Sequence, residues 1–210
     1  MKPTLLTLFL TISFWAMFIS SCVTAPQRDF SDADLFLSNS NLPKGWEVAG
    51  RFPKVTDNEG QKSGGVVSFY ALDTVYDARI TQRIYRYDSD GTAGRHYARF
   101  ETGMFSDESV YRTTPWITPE EFTFSSQAAK QWRFACAGSN FTIGPSTGTY
   151  STICRYLAQY DEFLVIIYVD LEIDNEVFIS VPEIATVILS ADQQMYNYLI
   201  LQATPTLEAP

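Results

Sequence analysis

Residues 144–148 read Gly144-Pro145-Ser146-Thr147-Gly148, the G-x-S-x-G spacing that in serine hydrolases presents a nucleophilic hydroxyl. That chemistry needs the serine on a sharp strand-to-helix turn and a histidine to take its proton. The chain has 1 histidine, His96, which lies well upstream, while both flanks of Ser146 have strand period. Gly144-Pro145 is therefore read as a hairpin turn, and His96 as the flank of an amphipathic helix, the sequence indicating no group that would position it as a base. Asp170, Glu172 and Asp174 alternate with Leu171 and Ile173, so the three carboxylates share one strand face, with Glu176 nearby. Such a row offers oxygen ligands to a hard cation such as calcium. It also suits a solvated strand end whose charge discourages edge pairing, and that is the preferred reading. Asp88 and Asp90 invite a calcium loop too, but Arg86 stands at its first ligand position and Tyr97 at its last, so they are assigned to helix capping. Cys136 and Cys154 with His96 leave a zinc shell short. No P-loop, Rossmann glycine fingerprint, CxxC or HExxH occurs. The expectation is a protein without catalytic residues, cofactor or resident metal.

The elements that must position these residues follow from periodicity. Residues 130–137 and 149–158 alternate, and 163–171 (FLVIIYVDL) are apolar on both faces, as a central strand covered from two sides would be. The midpoint between Cys136 and Cys154 falls on Pro145, so a symmetric hairpin sets the two sulfurs opposite each other. Upstream, Ser31 with Asp34 and the pair Phe30/Leu35 predict a capped first helix that stops by Pro43 and Gly45. Strands are expected at 46–52, 65–72 and 78–87. In the last of these, Ile80, Gln82 and Ile84 oppose Arg79, Thr81, Arg83 and Tyr85. The period then changes to 3.6, and Ala93, Tyr97, Phe100 and Met104 form one stripe of a helix over 91–105. Thr118-Pro119-Glu120-Glu121 predicts one helical turn, and 122–124 a short strand. Ile179, Ser180 and Glu183 predict a staple and capping box, opening a helix with Ile184, Val187, Ile188, Ala191, Met195, Tyr198 and Leu199 on one face. The sum is a single α+β domain over 30–201: a curved, mainly antiparallel sheet packed by about three helices, on a layered and duplicated-looking plan. A flexible tail follows at 202–210. The many tyrosines and phenylalanines, among them Phe69, Tyr70, Tyr85, Tyr87, Tyr150, Tyr156, Tyr160 and Tyr168, are read first as strand and core packing rather than as a sugar platform.

The 24 acidic residues outnumber the 15 basic ones, giving a formal net charge of −9. With the basic residues scattered along the chain, nucleic-acid binding is excluded. A net-acidic surface is also repelled by anionic headgroups, so any membrane attachment must be of another kind. The N-terminus supplies one. Lys2 precedes an apolar run at 5–18, too short to span a bilayer comfortably, which ends in Ile19-Ser20-Ser21-Cys22. This resembles the bacterial lipobox, a branched apolar residue and two small residues before a cysteine. The resemblance implies a signal peptide over 1–21, acyl chains (palmitate among them) on Cys22, and a tether over 22–29 that holds the body within roughly 25 Å of the membrane. Val23 stands where an aspartate would mark inner-membrane retention. Consuming Cys22 leaves Cys136 and Cys154 as an even pair in an oxidising location, so a disulfide is expected, with two reduced buried cysteines as the alternative.

The Leu42-Pro43-x-Gly45-Trp46 opening after the first helix, the order of elements and the paired strand cysteines resemble PsbP-like lipoproteins and the extracellular sensor domains of bacterial serine/threonine kinases. What that resemblance implies is a curved antiparallel sheet packed by helices, used for binding. The expected function is a noncatalytic cell-envelope lipoprotein, anchored on the extracytoplasmic side of a bacterial membrane, that presents a surface to an envelope protein or a small ligand. An envelope-acting hydrolase and a purely structural envelope component are the alternatives. A pocket between the sheet and the 91–105 helix would favour binding.

Overall fold

The computed structural model describes residues 31–52, 60–71, 78–106, 112–140, 151–172 and 179–203. The leader, the lipobox with Cys22 and the 144–148 turn lie outside the described residues. Six strands, β1 (Trp46–Phe52), β2 (Gln61–Ala71), β3 (Ala78–Tyr87), β4 (Gln131–Ser139), β5 (Ser151–Tyr160) and β6 (Phe163–Glu172), form one sheet. Their order is β1-β2-β3-β6-β5-β4, with each neighbouring pair antiparallel. The α-helices are α1 (Asp90–Met104), after β3, and α2 (Val181–Ala203), after β6. Among the described residues no helix is long and apolar enough to cross a membrane.

The apolar run of β6 is central, and Phe163 to Ile167 are 0% exposed because both sheet faces are covered there. On one face Ile184, Val187, Ile188, Ala191 and Met195 of α2 meet Phe69, Ile80, Ile84, Tyr156, Val165 and Ile167. On the other, Ala93 and Tyr97 of α1 meet Tyr85, Tyr87, Leu157, Leu164 and Ile166. Each half of the chain thus runs three strands and a helix, but the helices lie on opposite faces. A two-fold relating the halves of this sheet would put both helices on one face, so the duplicated-looking plan is not a structural repeat.

The first helix expected from the sequence is replaced by two short 3-10 turns, Asp32–Leu35 and Asn39–Asn41. Ser31 and Asp34 do form the capping box, yet Phe36 is extended at φ −73°, ψ 139°. The reason is tertiary. Leu35, Phe36 and Leu37 are all buried, which no single helix face allows. Gln82 of β3, fully buried, accepts from the Leu37 N–H at 2.8 Å and donates to the Leu35 carbonyl at 3.3 Å. Phe36 also occupies the space above Gly65, where a Cβ would collide with its ring. The described residues hold two α-helices and two short 3-10 helices.

Residues 119–121 make a turn, closed by Phe122 N–H to the Pro119 carbonyl at 3.0 Å, rather than a helical turn. Residues 122–124 join no ladder. Instead Phe122 stacks on Phe134 at 3.9 Å and Phe124 meets Trp132 edge-on at 5.0 Å. The segment is pinned to α2 by fully buried Asp192, which accepts from the Ser126 hydroxyl, from Gln127 N–H at 3.0 Å and from Tyr160 OH at 2.9 Å. At the start of α2, Ser180 and Glu183 form the expected capping box, Ser180 N–H donating to Glu183 Oε2 at 2.8 Å. Cys136 and Cys154 are register partners on β4 and β5 with their sulfurs joined at 2.07 Å.

Candidate functional site

The two helices cover their faces unequally. Helix α1 has 15 residues, about 22 Å of helix. Strand β3 beneath it has 10 residues, about 33 Å of strand. On each strand the side chains facing α1 change character where its cover ends. Along β3, Tyr87 and Tyr85 lie in the α1 cluster, while Thr81, Arg83 and Arg79 line the cavity beyond it. Along β6, Leu164 and Ile166 give way to Tyr168 and Asp170, and along β5, Leu157 gives way to Arg155 and Ile153.

The result is a groove made of two adjoining cavities of about 390 Å³ each, which share Arg155 and Tyr168. One lies on the open sheet face among Ser68, Arg79, Thr81, Arg83 and Asp170. The other lies between the sheet and the C-terminal half of α1, against Arg99, Phe100, Gly103 and Met104. Among the described lining residues, four are arginines and one is a carboxylate.

Asp170 bridges two of those arginines, with Oδ2 2.8 Å from Arg79 Nη2 and Oδ1 2.8 Å from Arg155 Nη2. Arg155 is held further by its Nη1, which donates to the carbonyls of Cys154 at 2.9 Å and Val169 at 3.2 Å. The guanidinium carbons of Arg155 and Arg83 stand 4.8 Å and 5.3 Å from the centre of the Tyr168 ring. Burial works against the charge of Arg79, but its hydrogen bond and attraction to Asp170 prevail and raise its pKa further above the working range. Burial also raises Tyr168, so its hydroxyl stays protonated at neutral pH. The Ser68 and Thr81 hydroxyls are 3.2 Å apart at the side of the groove. Chemically the arrangement donates hydrogen bonds and carries positive charge. It suits holding an oxyanion, since arginines present forked N–H donors that cannot give up their protons at neutral pH.

The residues singled out from sequence fall in different places. Asp170 is taken up by two guanidiniums, so it is an ion-pair partner rather than the start of a cation row. The Glu172 side chain and Asp174 lie outside the described residues, and among the described residues no group of three metal-ligating side chains occurs. His96 is a buried residue of α1 and stacks on Tyr87 of β3 at 4.4 Å. Phe69, Tyr85, Tyr87, Tyr156 and Tyr160 are core residues. Tyr70 is exposed, Tyr168 floors the groove, and Tyr150 lies outside the described residues. The arginines were missed. They are scattered in sequence, but β3 and β5, both paired to β6, bring Arg79, Arg83 and Arg155 to one end of one face. The alternation of Arg79, Thr81 and Arg83 ahead of Tyr85 was the available signal.

No family model matches the chain, and no curated protein matches it. Solved structures do. The fold is similar to that of the extracellular domain of PknH from Mycobacterium tuberculosis. The TM-score is 0.54 at 8% identity, over 82% of this chain and 100% of the PknH domain. At that identity the likeness to PknH is one of fold, and it agrees with the resemblance to kinase extracellular domains read from the order of elements. A protein from Bacteroides thetaiotaomicron aligns at a TM-score of 0.34 and 15% identity, over 70% of this chain and 41% of its own, too low to bear on the fold.

Proposed function

We propose that the chain is a noncatalytic binding module of the bacterial cell envelope, anchored by acyl chains on Cys22, that takes a small ligand into the groove under the end of α1. The observation that carries this reading is the groove itself, a recess between sheet and helix whose polar side chains are already held in place. A built recess with a few fixed polar groups is the usual form of a ligand site. The lipobox-like run Ile19-Ser20-Ser21-Cys22, the joined Cys136 and Cys154 and the fold likeness to an extracellular domain all support a location outside the cytoplasm.

The test has two parts. Intact mass of membrane-purified protein is expected to show a chain beginning at an acylated Cys22. A product retaining residues 1–21 would remove the anchor. Amide chemical-shift mapping against a panel of neutral sugars, amino acids and organic anions is expected to move Arg83, Arg155, Tyr168 and Phe100 together. Binding that moves other regions only, or no binding by any member, would remove the groove from the reading.

A further inference from the structure

We infer that the groove takes a small free amphiphilic oxyanion, with a phosphate or carboxylate head among Arg79, Arg83 and Arg155 and a short apolar body against Phe100 and Met104. This rests on the proposal that the groove is a ligand site and adds the chemical class of the ligand.

The head assignment comes from charge. The chain as a whole carries −9, yet the described lining of the cavity assigned to the head holds three arginines against Asp170. An excess of positive charge in a recess of an acidic protein concentrates anions there and repels cations. Arg155 is fixed by Asp170 and two backbone carbonyls, so little ordering entropy is lost when it meets a ligand. The apolar body is assigned from the second cavity. Phe100 and Met104 are half-buried on α1, and a side chain at Gly103 would project into open space. Depth decides for a free molecule. The side chains of Arg155 and Asp170 are 14% and 12% exposed, below the rim where Arg79 is 35% exposed. A flat membrane surface meets the rim, whereas a free molecule reaches the floor.

The test is calorimetric titration of the full-length chain with octyl phosphate below its micelle concentration, with inorganic phosphate and octyl glucoside as probes of head and tail alone. Octyl phosphate is expected to bind about tenfold or more tightly than either. Arg83→Gln is expected to weaken octyl phosphate about tenfold, and Arg99→Gln, exposed on α1 beside the apolar body, by less than about fivefold. Gly103→Leu, which adds a good helix former, is expected to weaken octyl phosphate while sparing inorganic phosphate. Octyl glucoside binding as tightly as octyl phosphate would overturn the oxyanion assignment while leaving a ligand groove. Groove shifts caused by phosphatidylglycerol nanodiscs but not by octyl phosphate would overturn the free molecule in favour of a membrane headgroup. No octyl phosphate binding, with groove shifts from a neutral sugar, would overturn the inference alone. No groove shifts from any probe would overturn both it and the proposed function.

Discussion

Asp170→Asn separates the two things that Asp170 does, because they have opposite signs. The carboxylate holds Arg79 and Arg155 at 2.8 Å each, and it also subtracts a negative charge from a site argued to attract anions. Losing two ion pairs that are part-buried costs about 1–3 kcal/mol of stability, between the exposed and the buried extremes. For a domain of this size that lowers Tm by about 3–10 °C. Arg155 keeps its two carbonyl acceptors, so one guanidinium stays in position. A bound head within reach of the guanidiniums would sit on the order of 6 Å from the Asp170 carboxylate. Removing that repulsion is worth roughly 0.7 kcal/mol at the dielectric of water and about 2.8 kcal/mol at the value typical near a protein surface. The expectation is an octyl phosphate affinity about tenfold tighter in a protein that melts lower. Thermal unfolding and titration on the same preparation read both quantities, and added salt should weaken binding to the variant more steeply than to the parent. An affinity that falls together with stability would refute the electrostatic reasoning and leave Asp170 as a purely positioning residue.

Asp192→Ala strips the acceptor from Ser126, Gln127 N–H and Tyr160 OH at a site with no solvent access, which should cost about 3–5 kcal/mol in denaturant unfolding and expose amides 126–129 to exchange. A cost under about 1 kcal/mol would mean that water or a rearranged loop replaces the carboxylate. Replacing Cys136 and Cys154 by alanine opens a link of sequence separation 18 and should cost about 3 kcal/mol, visible as an equal midpoint shift when the parent is reduced. Parent and variant unfolding alike under oxidising conditions would contradict it. Burial raises the phenols of Tyr87, Tyr97, Tyr156, Tyr160 and Tyr168, with Tyr97 pushed up to about 12. The folded state therefore keeps protons that the unfolded chain gives up near pH 10, so this stability is present below about pH 10 and is lost as pH rises through the folded values. Denaturant midpoints that do not fall between about pH 9 and 11, or tyrosinate absorbance appearing before unfolding, would sink that account.

What could be read from sequence was what local pattern decides. Alternation located β1 and β3 at their observed bounds, and the stripe Ala93, Tyr97, Phe100, Met104 located α1 to within a residue at each end. The capping box at Ser180 and Glu183 opened α2 where it begins. The same box at Ser31 and Asp34 misled, because Gln82, some 45 residues away, competes for the backbone of Leu35 and Leu37. A cap signal reports only its own turn. The groove was illegible for a related reason. Arg79 and Asp170 are 91 residues apart and meet because β3 pairs with β6 across the centre of the sheet, a contact no local pattern encodes. Each strand nevertheless carried half of the message. Arg79, Thr81 and Arg83 precede Tyr85 and Tyr87 on one face of β3, and Tyr168 and Asp170 follow Leu164 and Ile166 on one face of β6. A change from apolar to polar along a single face marks where the cover ends. Antiparallel pairing then puts the two polar ends together.

The unequal cover explains why a groove opens at this end of the sheet, and the proposal that it is a ligand site rests on the chemistry of its residues. The α2 face is closed along its length by a 23-residue helix and by the segment 31–42, tied to it by Gln194 on the carbonyls of Asp34 and Phe36. Among the described residues, α1 is shorter than the strand beneath it by about 11 Å, the difference between helix and strand lengths. Serine and threonine would satisfy that gap without charge, as Ser68 and Thr81 do. Placing Arg79, Arg83 and Arg155 there instead sets like charges side by side. It also requires Asp170, half-buried, to hold two of them, an arrangement that stability alone does not favour over neutral side chains. Departures of that kind from local preference concentrate at functional positions. Here the departure points at one sign of charge, in a recess whose other wall carries Phe100 and Met104 beside Arg99, which is why we propose an anion with an apolar body as its complement.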